Sequence, residues 1–392
     1  MKTSSPIRAL ATLACILCAD IALAHGNMYQ ELESESLSGT LAADLNMRSL
    51  HGDNPWPTPM PVLGISGADQ RGWLFGESSV GWHANWLHGL STDLVIGYED
   101  EDHRWHIDEA NLKYSVPRED FHLQATAGRL SPAFSHAGLP PWGLTNLFNQ
   151  AVIGHDHWHD DGVEGSVYGN SLSGFGGIYS GRGYPGGASQ SGSGMLAAGM
   201  VWQTAPLRLV LNGAHVSDFN RVLSTVGDGH NHTHGSSVSG CGVSVDCVLG
   251  NADLLWIDAR WKHGTSFEFF ASLASRREHG SVQSVLGEQA YRGDVNGLAL
   301  QADWQMYPQW QLGLRQEWLR IANDLSGPNS AAVARVFGLD NAESNPSRSG
   351  VRIAWNINRQ HQFAIDAYRD MTTSQSSWLW LAQWQMHLDY RY

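Results

Sequence analysis

The last fifteen residues, Trp378 to Tyr392 (WLWLAQWQMHLDYRY), constrain the fold more than any other stretch of the chain. Counting back in twos from the C-terminus, Tyr392, Tyr390, Leu388, Met386, Trp384, Ala382, Trp380 and Trp378 are all apolar or aromatic. Arg391, Asp389, His387, Gln385 and Gln383 alternate with them, and only Leu381 and Leu379 break the rule. A strand projects successive side chains to opposite faces, so this segment has one greasy face and one wet face. A soluble strand can share that pattern. Its length, the terminal aromatic residue and the many similar segments upstream select a lipid-facing strand of a transmembrane β-barrel.

The N-terminus agrees with an exported chain. Lys2 and Arg8 precede an apolar run from Ala9 to Ala19, and Ala22-Leu23-Ala24 then forms an A-x-A cleavage site before His25. This describes a signal peptide over residues 1–24, too short in its apolar part to span a bilayer. A short periplasmic segment, 25–35, follows, and 36–392 is the expected barrel. Cys15 and Cys18 fall within the leader. Cys241 and Cys247 remain, and in an oxidising compartment the expectation is a disulfide closing a small loop.

Beyond the leader no run approaches the roughly 20 apolar residues of a membrane helix. Yet the chain is 42% hydrophobic with 17 Trp and 11 Tyr, residues that barrels wear as girdles at the two membrane interfaces. Its formal charge of −14 makes nucleic acid an unexpected partner and favours cations.

Alternation recurs along the chain with tight turns between segments. Leu298, Leu300, Ala302, Trp304 and Met306 share a face, Tyr307-Pro308-Gln309 turns, and Trp310, Leu312, Leu314 and Trp318 resume it. Similar hairpins occupy 253–275 and 349–370. Extending this reading predicts about sixteen strands. They cover 36–46, 72–83, 90–99, 105–116, 121–129, 161–169, 173–180, 194–203, 206–215, 253–262, 266–275, 296–306, 310–320, 349–358, 361–370 and 378–392. An even count puts both termini in the periplasm. The short turns then lie inside, and the long connections (47–71, 100–104, 130–160, 181–193, 216–252, 276–295, 321–348 and 371–377) lie outside. A barrel of this size encloses water rather than a packed core, and the segment 25–35 is too short to form a plug domain.

The hairpin Ile107-Asp-Glu-Ala-Asn-Leu-Lys-Tyr114 and Phe121-His-Leu-Gln-Ala-Thr-Ala-Gly-Arg-Leu-Ser-Pro-Ala-Phe134 resembles a segment of Gram-negative porins of the phosphate-selective and related sugar or general families. The resemblance implies an outer-membrane channel, and the terminal aromatic strand looks like the signal read by the barrel-assembly machinery. A homotrimer is compatible with it. The chain departs from the phosphate-selective pattern, because Lys113 and Lys262 are nearly the only lysines past the leader and the outer loops are acidic. Pore-lining candidates are Arg208, Arg260, Arg315 and Arg352 against Asp258, Asp303, Glu317 and Asp366, with Lys262, Glu268, Asp389 and Arg391 beside them. Such a mixed wall holds a transverse field and suits small polar solutes.

Histidine is over-represented, with 19 residues. His155, His157 and His159, with Asp160, close the 130–160 connection; His230, His232 and His234 sit in 216–252 beside the cysteines. Imidazole and carboxylate suit zinc and similar divalent ions, so these residues are metal-site candidates on the extracellular side. No cofactor is required by this reading; zinc or another divalent metal is the expected ligand of the loops. A solvated polar loop or a pH sensor would look the same in sequence. No nucleophile elbow or distinctive Ser–His spacing appears, so an enzyme is not expected. The function expected from sequence is a passive outer-membrane channel with divalent-metal capture. A general or anion porin is the first alternative, and a barrel enzyme or adhesive barrel the second.

Overall fold

The computed structural model describes residues 38–53, 71–75, 78–99, 104–136, 142, 158–182, 184, 194–222, 247–336, 339, 343–372 and 376–391. The expected signal peptide lies outside them. They form one closed antiparallel barrel of sixteen staves. The first half comprises β1 (Ser38–Gly52), β2 (Gly72–Phe75 continued by Ser78–Asn85), β3 (Leu90–Glu99), β4 (Arg104–Pro117), β5 (Phe121–Leu130), β6 (Asp160–Gly169), β7 (Leu172–Tyr179) and β8 (Gly194–Gln203). The second comprises β9 (Leu207–Val222), β10 (Cys247–His263), β11 (Phe267–Ser284), β12 (Gly287–Tyr307), β13 (Trp310–Ser326), β14 (Glu343–Ser344 continued by Ser347–Asn356), β15 (His361–Met371) and β16 (Ser377–Arg391). Each predicted strand corresponds to one stave, and the predicted short turns all fall at one end.

Closure is made by β1 and β16, which pair from Thr40↔Arg391 to Gly52↔Leu379. Side chains knit the same seam: Gln383 Nε2 donates to Asn46 Oδ1 at 3.0 Å, and His387 Nδ1 lies 2.6 Å from Asp44 Oδ1. A closed ladder leaves no edge whose backbone groups would lie unpaired in lipid.

The outer face is the lipid-facing one. Leu209, Leu211, Leu255, Ile257, Leu273, Leu314, Val351, Ile353 and Ile365 are exposed there, while their strand neighbours Val210, Asp258, Ser272, Arg315, Arg352 and Asp366 are buried within. Aromatic rings bound the belt. Trp310 and Trp355, register partners next to the short turns, stack at 5.7 Å; Trp378 and Trp380 stack at 6.0 Å near the other rim.

The structure shortens several predicted connections, among them 47–71, since β1 runs on to Gly52. Residues 276–295 are hairpin rather than loop: β11 and β12 run 18 and 21 residues and meet at Val285–Leu286. A spanning strand needs only about 9–11 residues, so the hairpin extends well above the bilayer. There the outer face meets water, with Arg277, His279 and Arg292 exposed. The inner face packs Arg276, Glu278 and Val282. With both faces carrying polar residues, the period-two contrast disappears. Parts of 216–252 and 321–348 are likewise strand, and the latter also forms the short helix α1 (Ser330–Val336).

Candidate functional site: the lumen and its constriction

The lumen is not an open tube. The connection between β5 and β6 turns inward as soon as it leaves the wall. Glu164 on β6 accepts the Ala133 N–H at 2.8 Å and the Tyr179 hydroxyl at 2.6 Å. Asn212 on β9 donates to the Phe134 carbonyl at 3.3 Å. Phe134 then packs edge-on against Trp158 (4.9 Å), at the far end of the same connection, and against Trp256 of β10 (5.5 Å). Both Phe134 and Trp158 are fully buried, so both stems of this connection are anchored inside the barrel.

Between the stems, Trp142 crosses to the wall formed by β13–β15. It sits over a socket made by two glycines. A Cβ at Gly313 would lie 2.6 Å from the indole, and one at Gly350 3.2 Å from it. The Arg315 guanidinium covers the ring at 4.3 Å, with Arg352 at 6.0 Å and Tyr368 at 6.3 Å. A cation over an indole face is attracted by the ring quadrupole, and the missing side chains let the ring approach the sheet. Leu379 and Leu381, which break the alternation of the last strand, belong to this site. With Leu50, Tyr368 and Trp142 they form a buried cluster inside the barrel.

The predicted pore-lining residues divide accordingly. Arg208 and Arg260 are only partly buried, and Arg260 pairs with Glu268. Asp258, Asp303, Arg315, Glu317, Arg352 and Asp366 are buried. Arg315 donates to Gln301 at 3.0 and 2.6 Å, Gln301 to Asp303 at 2.6 Å, and Arg352 lies 3.6 Å from Asp366. Trp142 lies against Arg315 and Arg352, and all six are buried on the inner side of the barrel wall.

Nearer the outer end, a second connection enters. Tyr184, between β7 and β8, is buried against Phe219 at 4.9 Å. It donates to Glu278, which also receives both Arg221 nitrogens at 2.8 Å and the Tyr291 hydroxyl at 3.2 Å. Arg276 lies 3.6 Å from the same carboxylate. Burial first, then the neighbouring Glu278 charge, pushes the Tyr184 hydroxyl well above the ordinary tyrosine range, so it remains a donor. Val333 of α1 and Leu339 complete the apolar packing here.

The opposite wall, β3–β6, is acidic. Asp93 holds both Lys113 and His83, and the other His83 nitrogen lies 3.1 Å from Asn85 Oδ1. Both imidazole nitrogens thus have partners. Glu109, Asn111 and Lys113 alternate along the inner face of β4 beside Glu164. Sequence reasoning missed this wall and Trp142; the signal for the latter was the pair of lumen-facing glycines at 313 and 350.

Of the metal candidates, His155, His157, His230, His232 and His234 lie outside the described residues. His159 Nε2 stands 3.5 Å from Asp108 Oδ1, the oxygen that His106 Nε2 meets at 2.8 Å. Asp160 is buried and accepts from Asp161 N–H, Ser180 Oγ and Gly181 N–H at the strand end. Among the described residues no group of three or more His, Cys, Asp or Glu is placed to hold a metal ion. Cys247 is buried, while Cys241, its expected disulfide partner, lies outside the described residues.

Comparison with solved structures agrees with this architecture. OmpT of Vibrio cholerae, an outer membrane protein, is 8% identical, covers 92% of this chain and 100% of its own, and has a TM-score of 0.61. The chain has a porin-like fold. OprB of Pseudomonas putida (9% identity, 93% and 97% covered, TM-score 0.55) and the outer membrane channel DcaP of Acinetobacter baumannii (12%, 90% and 96%, TM-score 0.54) share it. No family model and no curated protein matches the sequence. This porin-like barrel therefore shares its wall plan with outer-membrane proteins, whereas its own Arg315–Trp142 clasp and acidic wall are read from its own residues.

Proposed function

We propose that the chain is an outer-membrane channel that passes small polar solutes by passive diffusion. The observation that carries this reading is a closed barrel that is apolar outside and charged within, narrowed by its own β5–β6 connection. Partly exposed Arg208 and Arg260 on one side and the Glu109–Lys113 wall on the other leave a polar path past the constriction. Similar structures include an outer membrane channel and a trimer form of an outer membrane protein, and a homotrimer belongs to the proposal. Purified protein added to a planar bilayer in potassium chloride is expected to give discrete current steps. A membrane that stays silent while the protein is demonstrably inserted sinks the channel.

A finer reading is capture of divalent cations, zinc in particular, as cargo at the outer mouth. Two imidazoles, His106 and His159, already converge on the Asp108 carboxylate at the outer end of the lumen. In this proposal the loop histidines His155, His157, His230, His232 and His234, which lie outside the described residues, supply further ligands of the same type. Binding must be weak enough for release if the ion is to move on. Replacing His155, His157, His159, His230, His232 and His234 with Ala is expected to reduce zinc permeation while potassium current persists. Unchanged zinc flux would leave a general porin.

A further inference from the structure

The acidic wall contains a cavity of about 210 Å³, lined by Glu109, Asn111 and Lys113 of β4, Thr126 and Leu130 of β5, Ser131, and Glu164 of β6. That is the liquid volume of about seven waters. The three β4 residues point inward together because they alternate with the outward-facing Ala110, Leu112 and Tyr114, all exposed. The cavity is therefore built by strand register rather than by a loop.

Its chemistry is one-sided. The Lys113 ammonium is tied to Asp93, within hydrogen-bond contact, so its charge is already matched. Glu109 and Glu164 then leave the wall with an excess of negative charge. Glu164 has its hydrogen bonds in place, from Ala133, Tyr179 and Ser166. Glu109 accepts only the Asn111 amide at 3.3 Å among the described residues. The Asn111 carbonyl oxygen is buried and has no hydrogen-bond partner among the described residues. A buried acceptor left unmade costs free energy, and a donor-rich group would satisfy it.

We infer that this cavity is a binding subsite for a small hydroxylated amine. An ammonium group carries three donors and no acceptor, which matches the Glu109 carboxylate and the Asn111 carbonyl. Thr126 brings its hydroxyl to the solute's own hydroxyls, and Leu130 lies against its short carbon skeleton. A neutral polyol of the same size would meet the hydroxyls but lack the charge, and an anion would be repelled by both carboxylates. The subsite deepens the channel reading and rests on it only for the route by which the solute arrives.

The probes are serinol, a three-carbon diol bearing a central amine, and glycerol, which has a hydroxyl in that place. Titration calorimetry on the full-length protein in detergent is expected to show saturable serinol binding and no glycerol binding. Glu109→Gln should weaken serinol at least tenfold, with folding checked by the heat-dependent gel shift typical of barrels. Glu164→Gln is the second variant should the first not fold. Absence of serinol binding, equal binding of glycerol, or an unchanged affinity in the folded variant overturns the subsite. Because calorimetry needs no current, that failure is separable from a silent bilayer, which would count against the channel alone.

Discussion

Glu278→Ala is expected to destabilise the barrel by about 3–5 kcal/mol, because it leaves buried guanidinium charge without its counter-ion. Arg221 and Glu278 are 0% and 1% exposed, and Arg276 lies beside them at 1%. Among the described residues, two arginines and two tyrosine hydroxyls converge on this carboxylate. Its removal cannot be repaired by water unless the outer packing of Tyr184, Phe219 and Val333 opens. Denaturant unfolding in lipid, followed by tryptophan fluorescence, measures the loss. A loss below about 1 kcal/mol is the size expected of a solvated pair and would show that water reaches Glu278. The same change should free the β7–β8 connection, since Tyr184 would lose its acceptor.

Trp142→Ala is expected to have the largest effect on conduction. The indole is the side chain that ties the inward connection to the far wall, and its removal exposes Arg315 and Arg352 to the lumen. Single-channel conductance should rise roughly twofold or more as the narrowest section widens and gains charge. Gly350→Val tests the same contact from the other side, because a side chain there meets the ring. Both variants should shift conductance in the same direction. If neither does, the clasp is not the narrow point. Arg315 should stay in place in the Trp142 variant, since it keeps its bonds to Gln301.

Individual residues show what was readable in advance. Trp310, Leu312, Leu314 and Trp318 announced their stave because lipid rewards apolar side chains on one face only. The same parity gives Arg315 and Glu317 inner-face positions, and both are buried, but their covering was not legible. The cover over Arg315 comes from Trp142, far away in sequence and docked against Gly313 and Gly350, where no side chain stands in its way. The extension of β11 and β12 was misread because Arg276 and Arg277 are both polar, one for a buried salt bridge and one for water. Leu379 and Leu381 looked like flaws in a pattern until the cluster they enter was seen. The histidine tracts drew attention by composition, whereas the Glu109–Asn111–Lys113 wall drew none, since alternating polar residues are what any lumen strand shows.

The sequence by itself determined the barrel, its sixteen staves, its closure and which end carries the long connections. Period-two sorting between lipid and water acts on each strand separately, so it is written locally. Only the tertiary structure decided what fills the barrel: which charges are covered, which glycines receive the Trp142 ring, and where a cavity remains. Those outcomes come from contacts between connections and distant walls, whose free energies depend on simultaneous placement rather than on any one segment's pattern.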